Sequence, residues 1–395
     1  MKKVYIAGSC RTAVGRMNGA LGNVEPRELG AVVIREALKR AGVVGKEVDM
    51  VLMGCVLQAG HGQNIARQCT LDAGLPVEVP AVSLNVVCGS GLEAVNMGAA
   101  LIQSGAAEIV VAGGVESMSL AAYALKKARN GYRLGDGKLV DTMVNDGLTD
   151  VFNQYHMGIT AENVAEKWGL TREELDNFAA QSQQKAEKAA VSGRFKDEIV
   201  PMEIRTKKGT IFFAEDEGIR FGTTAESLAG LKPAFKQGGV VTAGNASGIN
   251  DGAAAVVMMS EEKAKELAIL PEAEWINGAL AGVEPEIMGI GPVSAVHKVM
   301  KNTGYGIEDF DLVEANEAFA AQAVAVAREL KLDMTKTNVN GGAIALGHPI
   351  GASGCRILVT LLHEMKKRQE AKLGLATLCI GGGMGAATVV RKVNP

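Results

Sequence analysis

The chain has 395 residues, 47% of them hydrophobic and 22% charged, with a formal charge of −3. That balance describes a globular chain with a large core, two domains being the expectation, and it provides no overall field to hold nucleic acid or an anionic membrane. No apolar run reaches the roughly 20 residues of a spanning helix, and the apolar stretch after Met1-Lys2-Lys3 is too short for a signal peptide; a cytoplasmic protein with small partners is expected.

Short strand-like runs alternate with helical patterns in chain order. A strand at Val4–Ala7 precedes a helix entered at Pro26 and running to about Ala41. Met50–Val56, a helical stretch at Asn64–Ala73, and Ala81–Val87 follow. A helix of small residues runs from about Gly89 to Gln103, and the apolar run Ile109–Ala112 ends in Gly113-Gly114. From Ser119 to Gly239 the chain is more polar, with the charged runs Lys126-Lys127, Arg205-Lys207-Lys208 and Glu215-Asp216-Glu217. It reads as an inserted subdomain (119–239) whose helix from Thr171 to about Ala190 starts with capping-box spacing between Thr171 and Glu174. Alternation resumes at Ala253–Met259, and the last part, 271–395, carries Glu274–Val283, a helix after Pro292, Asp311–Ala315, a helix over Ala318–Leu330, a Gly-rich turn leading to a helix ending near Lys367, and strands at Leu375–Ile380 and Ala386–Val390. The first part (1–118 with 240–270) and the last share a pattern: Ser90-Gly91, helix, strand, Gly113-Gly114 against Ser353-Gly354, helix, strand, Gly381-Gly382. Aromatic residues make up only 4% beside 49 glycines, so layered α/β packing with closely spaced backbones is expected.

Chemistry concentrates at four places. Cys88 follows an apolar strand where Gly89-Ser90-Gly91 opens a helix; the dipole there favours a thiolate and a lowered pKa, although a small buried hydrophobe would have the same local sequence. His348 lies in Gly347-His348-Pro349, in a turn that presents its ring to a cavity, as suits a general base or an oxyanion donor; an ordinary loop histidine is the alternative. Asn316, in Glu314-Ala315-Asn316-Glu317, stands at a strand-to-helix junction, where propensity alone favours a helix N-cap. Cys379 ends a strand just before Gly381-Gly382-Gly383, whose backbone N–H groups are free. Gly381-x-Gly383-x-x-Ala386 matches a dinucleotide fingerprint only formally, since too little chain follows for the helix and second strand. There is no P-loop and no serine-hydrolase elbow. His61, His156, His297 and His363 have no partners at zinc spacing, so no metal is expected. The six cysteines (Cys10, Cys55, Cys69, Cys88, Cys355, Cys379) contain no C-x-x-C pair and are read as reduced thiols.

Together with Arg11-Thr12-Ala13-Val14-Gly15, Gly113-Gly114-Val115-Glu116-Ser117-Met118-Ser119 and the stretch Val241–Gly252, these segments resemble the thiolase family over nearly the whole chain. The resemblance implies an α/β fold of two similar halves in a five-layer α-β-α-β-α sandwich with an inserted loop domain, usually as a homotetramer. It implies an acyltransferase in which Cys88 carries the acyl group, His348 activates it and Cys379 moves the α-proton of the second acyl-CoA. His348 and a water held by Asn316 would form one set of oxyanion donors, and the N–H groups of Cys88 and Gly381 the other. Coenzyme A would lie along Leu148, His156, Met157, Arg220, Ser227, Ala234, Phe235, Ala243, Ser247, Met288, Phe319 and Ile350, with Arg220 near the nucleotide end.

Tyr155-His156-Met157-Gly158 resembles the short-chain branch, implying reversible condensation of two acetyl-CoA to acetoacetyl-CoA and CoA. These thioesters are substrates, so no separate cofactor is implied. A 3-ketoacyl-CoA thiolase of broader chain length is the runner-up. A decarboxylating ketoacyl synthase would want two active-site histidines, and a non-catalytic acyl-CoA carrier would tolerate loss of the reactive residues. The chain departs from the family pattern at His61, at Cys355 and in the apolar pair Val86-Val87.

Overall fold

A computed structural model describes residues 2–206 and 209–393; Lys207 and Lys208 of one charged run fall outside them. The elements that position the site are β1 (Val4–Thr12), α1 (Pro26–Ala41), β2 (Met50–Gly54), α2 (Ile65–Asp72), β3 (Ala81–Leu84), α3 (Ser90–Ser104) and β4 (Ile109–Ser117). After them come α4 (Met157–Lys167), α5 (Arg172–Val191), β5 (Asn250–Ser260), β6 (Ala273–Gly282), α6 (Gly291–Thr303), β7 (Leu312–Ala315), α7 (Ala320–Leu330), α8 (Ile350–Lys367), β8 (Leu373–Ile380) and β9 (Met384–Lys392). Local chemistry sets several boundaries. Pro26 opens α1 and Gly42, left-handed at φ 71°, ends it. Thr171 and Glu174 exchange reciprocal hydrogen bonds at the start of α5.

The strands join in the order β7-β8-β9-β6-β1-β5-β4-β2-β3. The two halves are therefore not separate sheets. Antiparallel pairing of Val4 with Trp275, Tyr5 with Glu274 and Ile6 with Ala273 links β1 to β6 and makes them continuous. Helices cover this sheet in three layers, each with its own apolar core. One core packs Leu29, Val33 and Ile34 of α1 on Val111 and Val257. A middle core joins Leu92 and Val95 of α3 to Ile357 and Leu358 of α8, between Val110 and Val256 on one side and Leu378 and Val390 on the other. The third places Val296 of α6, Val326 of α7 and Leu175 of α5 on Leu375 and Val389. Successive residues of a strand face opposite layers, so Val110 and Val111 serve different cores. This is the helix-sheet-helix-sheet-helix sandwich implied by the family resemblance.

Gly113 and Gly114 do not end β4, as the sequence suggested; the strand continues through them to Ser117, pairing Gly114 with Ala254 and Gly113 with Ala255. Their service is clearance, because a Cβ on Gly114 would stand 2.1 Å from the carbonyl oxygen of Gly351 at the start of α8. The same holds where α3 meets α8: a Cβ on Gly91 would lie 2.8 Å from Cys355 N, and one on Gly354 would lie 2.4 Å from Leu92 N. Backbone packs on backbone there.

The halves differ most at one hairpin. Between β8 and β9 the chain turns through Gly381-Gly382-Gly383, with φ of 87° and 89° at the last two, whereas residues 118–249 fill the corresponding gap between β4 and β5. Among its described residues, that long segment returns to the sheet where Ile199 and Val200 pair with Arg11 and Thr12. It is also latched by Arg11. The fully buried guanidinium binds Asp216 through two bonds of 2.7 and 2.9 Å and Glu198 through one of 2.6 Å.

Because α3 and α8 approach backbone to backbone at Gly91 and Gly354, Gly354→Ala must push them apart there. Unfolding by denaturant should show a loss of about 1–3 kcal/mol. An unchanged midpoint would mean that this backbone contact does not exist in solution.

Candidate active site

Cys88 sits in a tight elbow between β3 and α3. Val87 has φ 46°, a conformation a β-branched residue adopts only under constraint. The fully buried Ser90 supplies that constraint: its hydroxyl donates to Val87 O at 2.7 Å and accepts from Val86 N at 2.9 Å. Helix α3 starts at Ser90, so the thiol stands two residues outside it. The lowered pKa expected from the helix dipole is not what the site produces. Burial pushes the Cys88 thiol up to about 11, against the opposing pull of the backbone N–H groups of Gly381 and of Cys88 itself. Desolvation outweighs those N–H groups. The resting sulfur is a thiol and needs a base to take its proton.

His348 can be that base. Its backbone N–H donates to Asn250 Oδ1 at 2.9 Å, and Asn250 Nδ2 donates to Gly15 O at 2.9 Å, tying the turn to the other half. Gly347, at φ 108°, leaves room for Asn250. The ring Nδ1 lies 2.6 Å from Ser353 Oγ, which itself lies 2.8 Å from Pro349 O. A carbonyl only accepts, so the serine hydrogen is spent on Pro349 and Nδ1 must donate to Oγ. That assignment leaves Nε2 unprotonated; it is buried and has no hydrogen-bond partner among the described residues. Burial, and next the charge of Arg356, hold the imidazole down at about 3, so it is neutral at physiological pH and able to accept a proton.

Asn316 is buried beside it, with Nδ2 3.4 Å from His348 Nδ1. It is not a helix N-cap: α7 begins at Ala320 with Phe319 in the cap position. Cys379 is fully buried at the end of β8, and its thiol is raised first by burial and then by the neighbouring Cys88. Gly381 begins the glycine turn.

Cys88, His348 and Gly381 line one cavity of about 360 Å³. All the coenzyme A positions expected from the sequence line it too, except Ser227. Ser227 lies in the short helix Ala225–Ala229, where its hydroxyl donates to Thr224 O at 2.7 Å and accepts from Thr224 N at 3.1 Å in a local cap. The walls are apolar and aromatic. Phe235 stacks on His156 at 4.7 Å between centroids and meets Phe319 edge-on at 6.1 Å. Gly158 N donates to His156 Nδ1 at 3.0 Å, which puts the histidine's proton on Nε2. Arg220 is an exposed cation on the cavity wall. Asn316 and Cys379 stand behind the lining rather than in it.

Several participants were not singled out from the sequence. Met118, Gly147, Ala246, Gly248, Ile249 and Ala318 complete the wall; all but Gly147 lie in or beside motif stretches. Ser353 and Asn250 orient His348. Glu116, fully buried, accepts from Val56, Leu57 and Gly351 N at 3.0, 3.0 and 2.8 Å, joining the loop after β2 to the first turn of α8. Burial raises its carboxyl to about 7 against those bonds. Of the departures from the family pattern, His61 Nδ1 pairs with Glu25 at 2.8 Å and Cys355 is buried in the middle core.

Removing the Ser353 hydroxyl frees the imidazole to adopt either tautomer. Ser353→Ala should lower turnover on the order of 10- to 100-fold, with the protein still folded by circular dichroism. Wild-type turnover in that variant would show that Ser353 does not set the proton.

Comparison with known proteins gives the same picture. The family model "Thiolase, N-terminal domain" matches residues 4–262 and "Thiolase, C-terminal domain" residues 269–392. An acetyl-CoA acetyltransferase of Pseudomonas aeruginosa is 59% identical over 99% of this chain and 100% of its own length, and one of Cupriavidus necator is 58% identical over 99% and 100%. Among solved structures, the Bacillus anthracis acetyl-CoA acetyltransferase superposes with a TM-score of 0.97 at 48% identity, covering 100% of this chain and 99% of that one. Human mitochondrial 3-ketoacyl-CoA thiolase does so at 0.96 and 44%, covering 99% of each. The chain is a member of the thiolase family, and an acyltransferase.

Proposed function

We propose that this chain is an acetyl-CoA C-acetyltransferase that condenses two acetyl-CoA to acetoacetyl-CoA and CoA, reversibly, through an acetyl group on Cys88. The observation that carries the reading is the convergence on one cavity of a buried thiol, a neutral histidine with a free ring nitrogen, and the Gly381 N–H.

In the first half-reaction Cys88 Sγ attacks the thioester carbonyl as its proton passes to His348 Nε2. The oxyanion forms beside the N–H groups of Cys88 and Gly381. The carbon–sulfur bond to coenzyme A breaks, the departing thiolate takes the proton of Cys379 while His348 keeps the one from Cys88, and acetyl-Cys88 remains. In the second, the Cys379 thiolate so formed removes the α-proton of a second acetyl-CoA, whose thioester oxygen accepts from His348 Nε2–H and from a water held by Asn316. The carbanion attacks acetyl-Cys88, and collapse expels the Cys88 thiolate, which takes the proton from His348 and leaves Cys379 a thiol again. Burial suits Cys379 to this work, since a thiolate of raised pKa is the stronger base toward a C–H bond.

Met157 favours the short-chain reading over a broad 3-ketoacyl-CoA thiolase: its Cε would lie 3.1 Å from a Cβ on Gly381, so it closes the acyl end of the cavity beside the turn. The thioesters are substrates, and no further cofactor belongs to the reading. We take the working form to be a cytoplasmic homotetramer. Exposed Tyr123, Leu134 and Leu139 in the segment after β4 favour association.

Brief incubation with acetyl-CoA should add one acetyl group to Cys88, read by peptide mass spectrometry, and an unmodified Cys88 in folded protein would overturn the proposal. Cys379→Ala should still acetylate but lose condensation. Thiolysis should fall steeply for 3-ketoacyl chains beyond four carbons; a flat profile would select the broader thiolase.

A further inference from the structure

Arg356 is fully enclosed on α8, one turn beyond Ser353. Its Nη2 lies 3.4 Å from Asn316 Oδ1 and its Nη1 lies 3.9 Å from Glu314 Oε2, while Nε and Nη1 are buried without a hydrogen-bond partner among the described residues. A guanidinium with donors unspent in a dry interior is costly to fold, and a well-packed apolar side chain would be more stable there. Arg11 shows the contrast: its guanidinium is equally buried but satisfied by two carboxylates.

The geometry points to Arg356 as a positioning residue for the condensation half-reaction, turning the Asn316 amide and setting a positive charge behind the oxygen that it serves. The inference rests on the acyl-transfer reading above. A guanidinium only donates, so the amide oxygen of Asn316 must face it. The amide NH₂ is then directed to the opposite side, 3.4 Å from His348 Nδ1, and since that nitrogen itself donates to Ser353, the amide hydrogens are not spent on it. Neutralisation of the charge is incomplete, for burial raises Glu314 to about 8 even with Arg356 beside it. The Cys88 and Gly381 N–H groups, adjacent to the sulfur, serve the acyl group carried on Cys88. Asn316 and His348 are left for the oxygen of the incoming thioester, and within that set Arg356 touches Asn316 directly, its charge alone reaching the imidazole.

The test separates the half-reactions. Wild-type enzyme is first shown to acetylate Cys88 and to condense, because failure there would sink the acyl-transfer reading and not this one. Arg356→Met should condense about 10²-fold more slowly, chiefly in kcat with KM little changed, while acetylation of Cys88 changes by a much smaller factor, set by the altered basicity of His348. Arg356→Lys, which keeps the charge, should recover to within roughly tenfold of wild type. In an Asn316→Ala background either change should add little further loss. Where the Met variant does not fold, the Lys variant carries the test by a small loss confined to condensation and absent with Asn316→Ala. Equal loss in both half-reactions, full additivity with Asn316→Ala, or no loss in either variant would overturn the proposal.

Discussion

The contact between α3 and α8 is the constraint on which the rest depends. Cys88 precedes one helix and His348 the other, and each half supplies one of them. Their meeting requires the two helices to cross with backbone against backbone, which Gly91 and Gly354 permit and no side-chained residue would. Gly114 does the same for the first turn of α8 against the sheet. Glu116 and Asn250 then bind the N-terminal half to the α8 region, so the relative placement of thiol and imidazole is over-determined. Rigid packing of this kind holds reacting groups within fractions of an ångström.

Enclosure has an electrostatic consequence. Each titratable group at the centre is pushed toward its neutral form: Cys88 and Cys379 up, His348 down. The site therefore stores no resident ion pair of thiolate and imidazolium. Proton transfer has to accompany bond formation, and the pre-aimed backbone and amide dipoles meet charge only when it develops. In a medium of low effective dielectric those dipoles are worth far more than in water.

Much of this was legible in the sequence. The order of strands and helices followed from periodicity and caps, since Pro26 and Thr171 act locally, whereas Gly113-Gly114, read as a strand end, serves a distant contact. The identity of the reactive residues was readable only in combination, because a cysteine before a helix or a histidine before proline is individually ordinary. What escaped was non-local. Nothing near Cys88 announces that burial overrides the backbone N–H groups around its sulfur. Ser353 reads as one small residue in a glycine-rich helix start until its hydroxyl is seen between His348 and Pro349. The local cap that engages the Ser227 hydroxyl is likewise seen only in the structure. The joining of the half-sheets through Val4–Ile6 and Ala273–Trp275 depends on pairing across most of the chain, which no local pattern encodes.

The unequal hairpins carry a consequence for how such a molecule can diversify. One copy of the repeated unit closes β8 to β9 with three glycines, while the other has opened the same junction to admit residues 118–249 without disturbing the register of β4 with β5. Most of the cavity wall comes from the long segment, and the reactive groups come from the two repeated units. Ligand fit and bond-making chemistry thus reside on separately mutable parts. Drift in the long segment can retune what is accepted while the reacting atoms stay where the paired helices hold them.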